Sequence, residues 1–73
     1  MKTETVNKET GTGYFVVEIF NSITNEWEYI LNESSISVAS IIMNNLFNTT
    51  KYKCRVIDTN RDNIVLSQIE IIE

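Results

Sequence analysis

From Ser35 to Asn48 the sequence reads SISVASIIMNNLFN, the one stretch whose apolar residues recur at helical spacing. Ile36, Ala39, Ile42, Met43, Leu46 and Phe47 follow one another at steps of three and four and form a single stripe. Val38 and Ile41 fall off it, among Ser34, Ser37, Asn44, Asn45 and Asn48. Ser34 or Ser35 can cap the start by accepting from an early backbone N–H. Glu33 lies near the positive end of the helix dipole. Several β-branched residues weaken the intrinsic helix preference, so this helix depends on packing. The run "NTT", Asn48–Thr50, is expected to end it. One helix with one stripe covers only one face of a sheet, and that limit governs the rest of the chain.

Strand patterns flank the helix on both sides. Gly13 precedes "YFVVEIF", Tyr14–Phe20, which is aromatic and β-branched. Phe15, Val17 and Ile19 share one face; Tyr14, Val16, Glu18 and Phe20 share the other. "NSITN", Asn21–Asn25, has the residues of a turn. "EWEYIL", Glu26–Leu31, then alternates, with Trp27, Tyr29 and Leu31 on one side and Glu26, Glu28 and Ile30 on the other. Trp27 is expected in the core, against the helix. After the helix, "KYKCRVID", Lys51–Asp58, puts Tyr52, Cys54 and Val56 inward and Lys51, Lys53, Arg55 and Ile57 outward. "TNRDN", Thr59–Asn63, is a second turn, and "IVLSQIEII" is the last strand. There the alternation slips, and a bulge near Ser67–Gln68 would account for it.

The order is hairpin, helix, hairpin. It predicts an α+β domain: a two-layer ββαββ arrangement with a four-stranded, mostly antiparallel sheet and one helix packed on one face. Residues 13–73 form the domain, and residues 1–12, polar and without periodicity, read as a disordered tail.

Seventy-three residues leave a thin stability margin. Chains of this size often add a disulfide, a metal or a partner. The lone Cys54 cannot close an intrachain disulfide, and with no His there is no zinc constellation. A homo-oligomer is therefore the expected support. No segment is long and apolar enough to span a membrane, and the N-terminal stretch has no apolar signal region. The chain reads as cytoplasmic, with Cys54 reduced. Its net charge of −4 speaks against generic DNA binding.

Chemistry finds little support, and no cofactor is implied. Without His the usual proton shuttle is missing. Cys54 is expected to serve as a small core hydrophobe. Glu26 and Glu28 share a strand face, with nothing apolar to enclose them and raise a pKa. "DTNRDN", Asp58–Asn63, lacks the closing Glu of a calcium loop. Gly11 and Gly13 are the only glycines, too few for a phosphate loop.

Two surfaces remain. Lys51, Lys53 and Arg55, with Arg61 nearby, could hold an anion, with Tyr14 or Phe20 as stacking platforms. Their alternative role is a charge ladder against Glu18, Glu26, Glu28 or Glu70. The second surface is apolar. Val38 and Ile41 on the helix, and Tyr14, Phe20, Ile30 and Ile57 on the uncovered sheet face, are candidates for a partner or dimer interface, as is Val16 beside them.

The layout resembles short orphan proteins of phage and bacterial genomes, which carry a Trp-containing hairpin, a helix and an "RV-[IV]-D" strand. Trp27, Ala39 and "RVID" at Arg55–Asp58 carry the resemblance. It implies the fold and an origin in a bacterium or its phages, and no shared activity. Eleven Ile and nine Asn with no Pro suggest an A/T-rich coding sequence, which agrees. The functional expectation is a non-catalytic phage or mobile-element accessory protein that binds and inhibits a host protein, such as a defence component. The alternative is a small oligomer that sequesters an anionic nucleotide through Lys51, Lys53, Arg55 and Arg61.

Overall fold

The computed structural model describes residues 13–72, so the N-terminal tail expected over 1–12 lies outside the described residues. Strands β1 (Phe15–Asn21) and β2 (Glu26–Glu33) form the first hairpin. Helix α1 (Ile36–Thr50) follows. Strands β3 (Cys54–Asp58) and β4 (Ile64–Ile69) form the second hairpin, joined through a short 3-10 turn at Thr59–Arg61. The four strands make one antiparallel sheet in the order β2-β1-β3-β4. This is the expected α+β architecture.

The core lies between α1 and one face of the sheet. Val17, Cys54 and Val56 meet Ala39 and Met43 from the helix, and Phe15, Ile19, Ile42, Leu46 and Phe47 pack around them. Ser35 caps the helix by accepting from the Val38 N–H at 3.3 Å.

The helix runs two residues past its expected end, to Thr50. The Thr49 hydroxyl donates to the Asn45 carbonyl at 3.0 Å and the Thr50 hydroxyl to the Leu46 carbonyl at 2.8 Å. Such back-bonding lets threonine sit in a final helical turn. Lys51 then takes a left-handed conformation, with φ 64°, and its N–H closes onto the Phe47 carbonyl. The third strand accordingly starts at Cys54, and Lys51–Lys53 form a connection. Tyr52, expected inward, is 61% exposed.

A bulge corrects the phase of β2. Val17 pairs with Leu31 and Glu18 with Tyr29, so Ile30 is the extra residue. Directly paired residues share a sheet face. Leu31 therefore joins Val17 on the helix side, while Tyr29 and Trp27 join Glu18 and Phe20 on the opposite side. Trp27 does not pack on the helix. Ile30, expected on the uncovered face, packs against the core instead. The slip in β4 has the same cause. Val56 pairs with Ser67 and Ile57 with Val65, which makes Leu66 the extra residue, one position before the expected site.

The sheet face opposite the helix is not uniformly open. Val16 and Ile57 pair across β1 and β3 and are 3% and 5% exposed. The sequence pattern assigns both to an exposed patch, and their burial removes them from it. Asn32, paired to Val16, is fully buried. It accepts from the Tyr29 hydroxyl at 2.8 Å and donates to the Gly13 carbonyl at 3.2 Å, which meets the demand that a buried amide be bonded.

Candidate functional site

The first hairpin turn is built by one side chain. Asn21 Oδ1 accepts from the backbone N–H of Ile23 at 2.9 Å and of Thr24 at 3.2 Å. Asn25 closes the turn in a left-handed conformation, φ 66°, and donates its N–H to the Asn21 carbonyl at 2.7 Å. This geometry holds Ile23 out in solvent, 94% exposed.

At the same end of the sheet, the α1–β3 connection presents Tyr52, whose N–H is held by the Thr50 hydroxyl at 3.1 Å. Two depressions open to solvent share Phe20, Ser22 and Tyr52 as walls. One, of about 230 Å³, continues along Ile19, Asn21, Ile23 and Glu28. The other, of about 350 Å³, continues along Lys51, Lys53, Glu70 and Ile71. The turn, the connection and the segment just past β4 thus bring Ile23, Tyr52 and Ile71 to one surface.

The cations are mostly engaged within the chain. Arg55 Nε donates to Glu18 Oε1 at 2.7 Å, and both side chains are largely sheltered. The Arg55 guanidinium also lies 4.0 Å from the Trp27 ring centroid. The Phe20 N–H donates to the Lys53 carbonyl at 2.8 Å, which sets Lys53 across from Phe20. Lys53 Nζ sits 4.6 Å from the Phe20 centroid, 5.7 Å from that of Trp27 and 3.8 Å from Glu70 Oε1. Lys51 lies over Phe47 at 5.5 Å. Arg61 belongs to the turn at the far end of β3. The structure brings Lys51 and Lys53 to one depression, keeps Arg55 bound to Glu18, and leaves Arg61 apart. The charge-ladder reading describes Lys53 and Arg55.

Of the apolar interface candidates, Tyr14, Val38 and Ile41 are exposed. Phe20 is half-buried beneath Lys53 and forms an edge contact with Trp27 at 5.1 Å and 64°. Ile30 and Ile57 are not on the surface the sequence assigned them. Ile23 escapes sequence reasoning because "NSITN" reads as turn chemistry alone. Its one signal is a large apolar residue at a turn that needs none. Tyr52 escapes it because the helix ends later than expected, which leaves Tyr52 in the connection before β3 rather than in the strand.

Cys54 is fully buried, and its thiol donates to the Tyr52 carbonyl at 3.2 Å. Burial pushes its pKa up, the opposite of what an activated nucleophile requires. Among the described residues, no cluster of His, Cys, Asp and Glu could hold a metal, and no helix is long and apolar enough to cross a membrane. Comparison with protein-family models, with curated proteins and with solved structures gives no match.

Proposed function

We propose that this protein works by binding another protein at the surface around Tyr52, with no chemistry of its own. The observation that carries this reading is the gathering of exposed Ile23, Tyr52 and Ile71 from three separate segments at one sheet end. Exposed apolar clusters with a polar rim mark protein contacts, and tyrosine is enriched among residues that dominate such contacts. Ser22, Glu28, Lys51 and Glu70 supply the rim. The resemblance and the composition support a target in a bacterial host cell, bound and inhibited by a phage or mobile-element factor. Nucleotide sequestration has less support, since Lys53 and Arg55 already pair with Glu70 and Glu18.

The test is capture from bacterial lysate on immobilised wild-type protein and on Ile23→Glu/Tyr52→Glu, read by mass spectrometry. A protein retained by the wild type and lost with the variant supports the reading. The same captured proteins on both, or stabilisation by a nucleotide panel without selective capture, would overturn it.

A further inference from the structure

Among the described residues, the sheet order leaves β2 and β4 as its edges. An edge strand presents unpaired N–H and C=O groups and is a template for another strand. The two edges differ in how they are protected. β2 carries Glu26, Glu28 and Glu33. Pairing β2 with its own copy would set these carboxylates against one another, which is destabilising. β4 reads IVLSQI, without a charge, a Pro or a Gly. Ile64 and Val65 stand exposed on it.

We infer that β4 is a self-association seam: two copies of this chain pair their β4 edges antiparallel about a two-fold axis and continue one sheet through both molecules. Charge favours that occupant. Arg61 and Glu70 flank β4 and lie equally far from the Val65–Leu66 peptide. With the axis at that peptide, the antiparallel partner sets Arg61 of each copy toward Glu70 of the other. The same register puts Ile64 opposite Ser67 and Val65 opposite Leu66 of the copy, so apolar and small residues meet at the centre. Each copy carries a net charge of −4, which opposes association elsewhere on the surface. The bulge at Leu66 bends the strand and confines regular pairing to short arms. The dimer is therefore a concentration-dependent one. Apart from Glu70, which also borders the surface around Tyr52, this seam is distinct from that surface, and its test needs no partner protein.

Sedimentation equilibrium over the micromolar range reads it directly. The wild type should move from 8.4 kDa toward twice that mass as concentration rises. Val65→Lys/Gln68→Lys brings two cations together beside the axis, adds one to each arm at exposed positions, and should raise the dimer dissociation constant about tenfold or more. Its far-UV circular dichroism should match the wild type. Amide exchange gives a second readout: β4 amides should slow with concentration in the wild type and not in the variant. Ile41→Glu and Ile23→Glu/Tyr52→Glu should dimerise as the wild type does. A wild type that stays at the single-chain mass throughout would overturn the seam. So would a dimer that survives Val65→Lys/Gln68→Lys and dissociates with Ile41→Glu.

Discussion

The Arg55 guanidinium covers the Trp27 ring at 4.0 Å from its centroid, on the sheet face turned away from the helix. The contact crosses from β3 over β1 to β2. Glu18 holds the guanidinium from β1, and Phe20 meets the indole edge-on. Trp27 thus anchors a second, smaller cluster whose polar members are paired. A fully buried Trp→Ala change costs about 3–5 kcal/mol. Trp27 is half-buried, and truncating it removes the aromatic pair with Phe20 and the close cation–π contact with Arg55, each worth about 1 kcal/mol. Trp27→Ala should therefore remain folded and be destabilised by about 2 kcal/mol in a urea titration. Loss of the cooperative transition would place Trp27 in the main core after all.

Gly13 has φ +114°, and a Cβ there would run into Ser34 Cα and the Glu33 carbonyl oxygen. Both obstacles are backbone, at the end of β2 and in the connection after it, so neither can swing aside. Gly13→Ala should cost about 2 kcal/mol or more, through strain and the displaced connection together. A urea midpoint within error of the wild type would show that the entry to β1 is not held against that connection.

Asn32 and Tyr29 should behave as one unit. The Tyr29 hydroxyl donates to the fully buried Asn32 side chain, which in turn reaches the Gly13 carbonyl. Asn32→Leu removes both of these bonds and should cost about 1–3 kcal/mol. Tyr29→Phe should cost about 1 kcal/mol. The double variant should be less destabilised than the sum, because the Tyr29–Asn32 bond is lost in each single variant and can be lost only once. Strict additivity in a double-mutant cycle would dissolve the coupling.

The architecture was legible because its signals are periodic. The stripe through Ile36, Ala39, Met43 and Leu46 could only be a helix, and its neighbours alternate as strands do. What sequence could not show is where alternation breaks in β2, whereas the slipped apolar pattern of β4 marked its bulge to within one residue. Ile30 suits either sheet face chemically, so nothing in "EWEYIL" marks it as the extra residue, and the phase of Trp27 and Tyr29 inverted with it. Tyr52 moved for a related reason. Threonines weaken a helix on average, yet Thr49 and Thr50 bond back to its carbonyls and prolong it. At the candidate site, the basic residues announced themselves by type, while Ile23 and Ile71 converge only through the sheet's connectivity.

Helix position 41 tests how far the apolar surface matters for the monomer. Ile41 is 59% exposed and outside the core cluster. A surface change away from caps and packing usually shifts stability by no more than about 0.5 kcal/mol. Ile41→Glu should match that, whereas Met43→Ala, in the core, should cost about 2–5 kcal/mol. Equal losses in parallel thermal denaturation would mean that α1 is rotated about its axis from the arrangement described.

Cys54 supplies a pH dependence of defined sign. Its thiol is enclosed, and burial raises its pKa above the ordinary 9.0. The folded state therefore favours the neutral thiol, and the unfolded chain ionises first as pH rises. Below 9.0 both states hold the proton, and the thiol's contribution to stability does not change with pH. Above 9.0 the unfolded state gains from ionisation while the folded state does not, so stability falls until the folded thiol also titrates. The informative quantity is the difference between the wild type and a variant without this thiol. Cys54→Ala should be less stable than the wild type at neutral pH, because it leaves a small cavity beside Val17 and Val56. The gap between the two proteins should narrow as pH climbs past 9.0, since only the wild type has this thiol to ionise. Urea midpoints of both proteins across that range measure the gap. The thiol should also react with a disulfide reagent far more slowly in native buffer than in denaturant. Parallel stability curves, together with rapid labelling of the native protein, would show an accessible thiol and a third strand that does not seal the core.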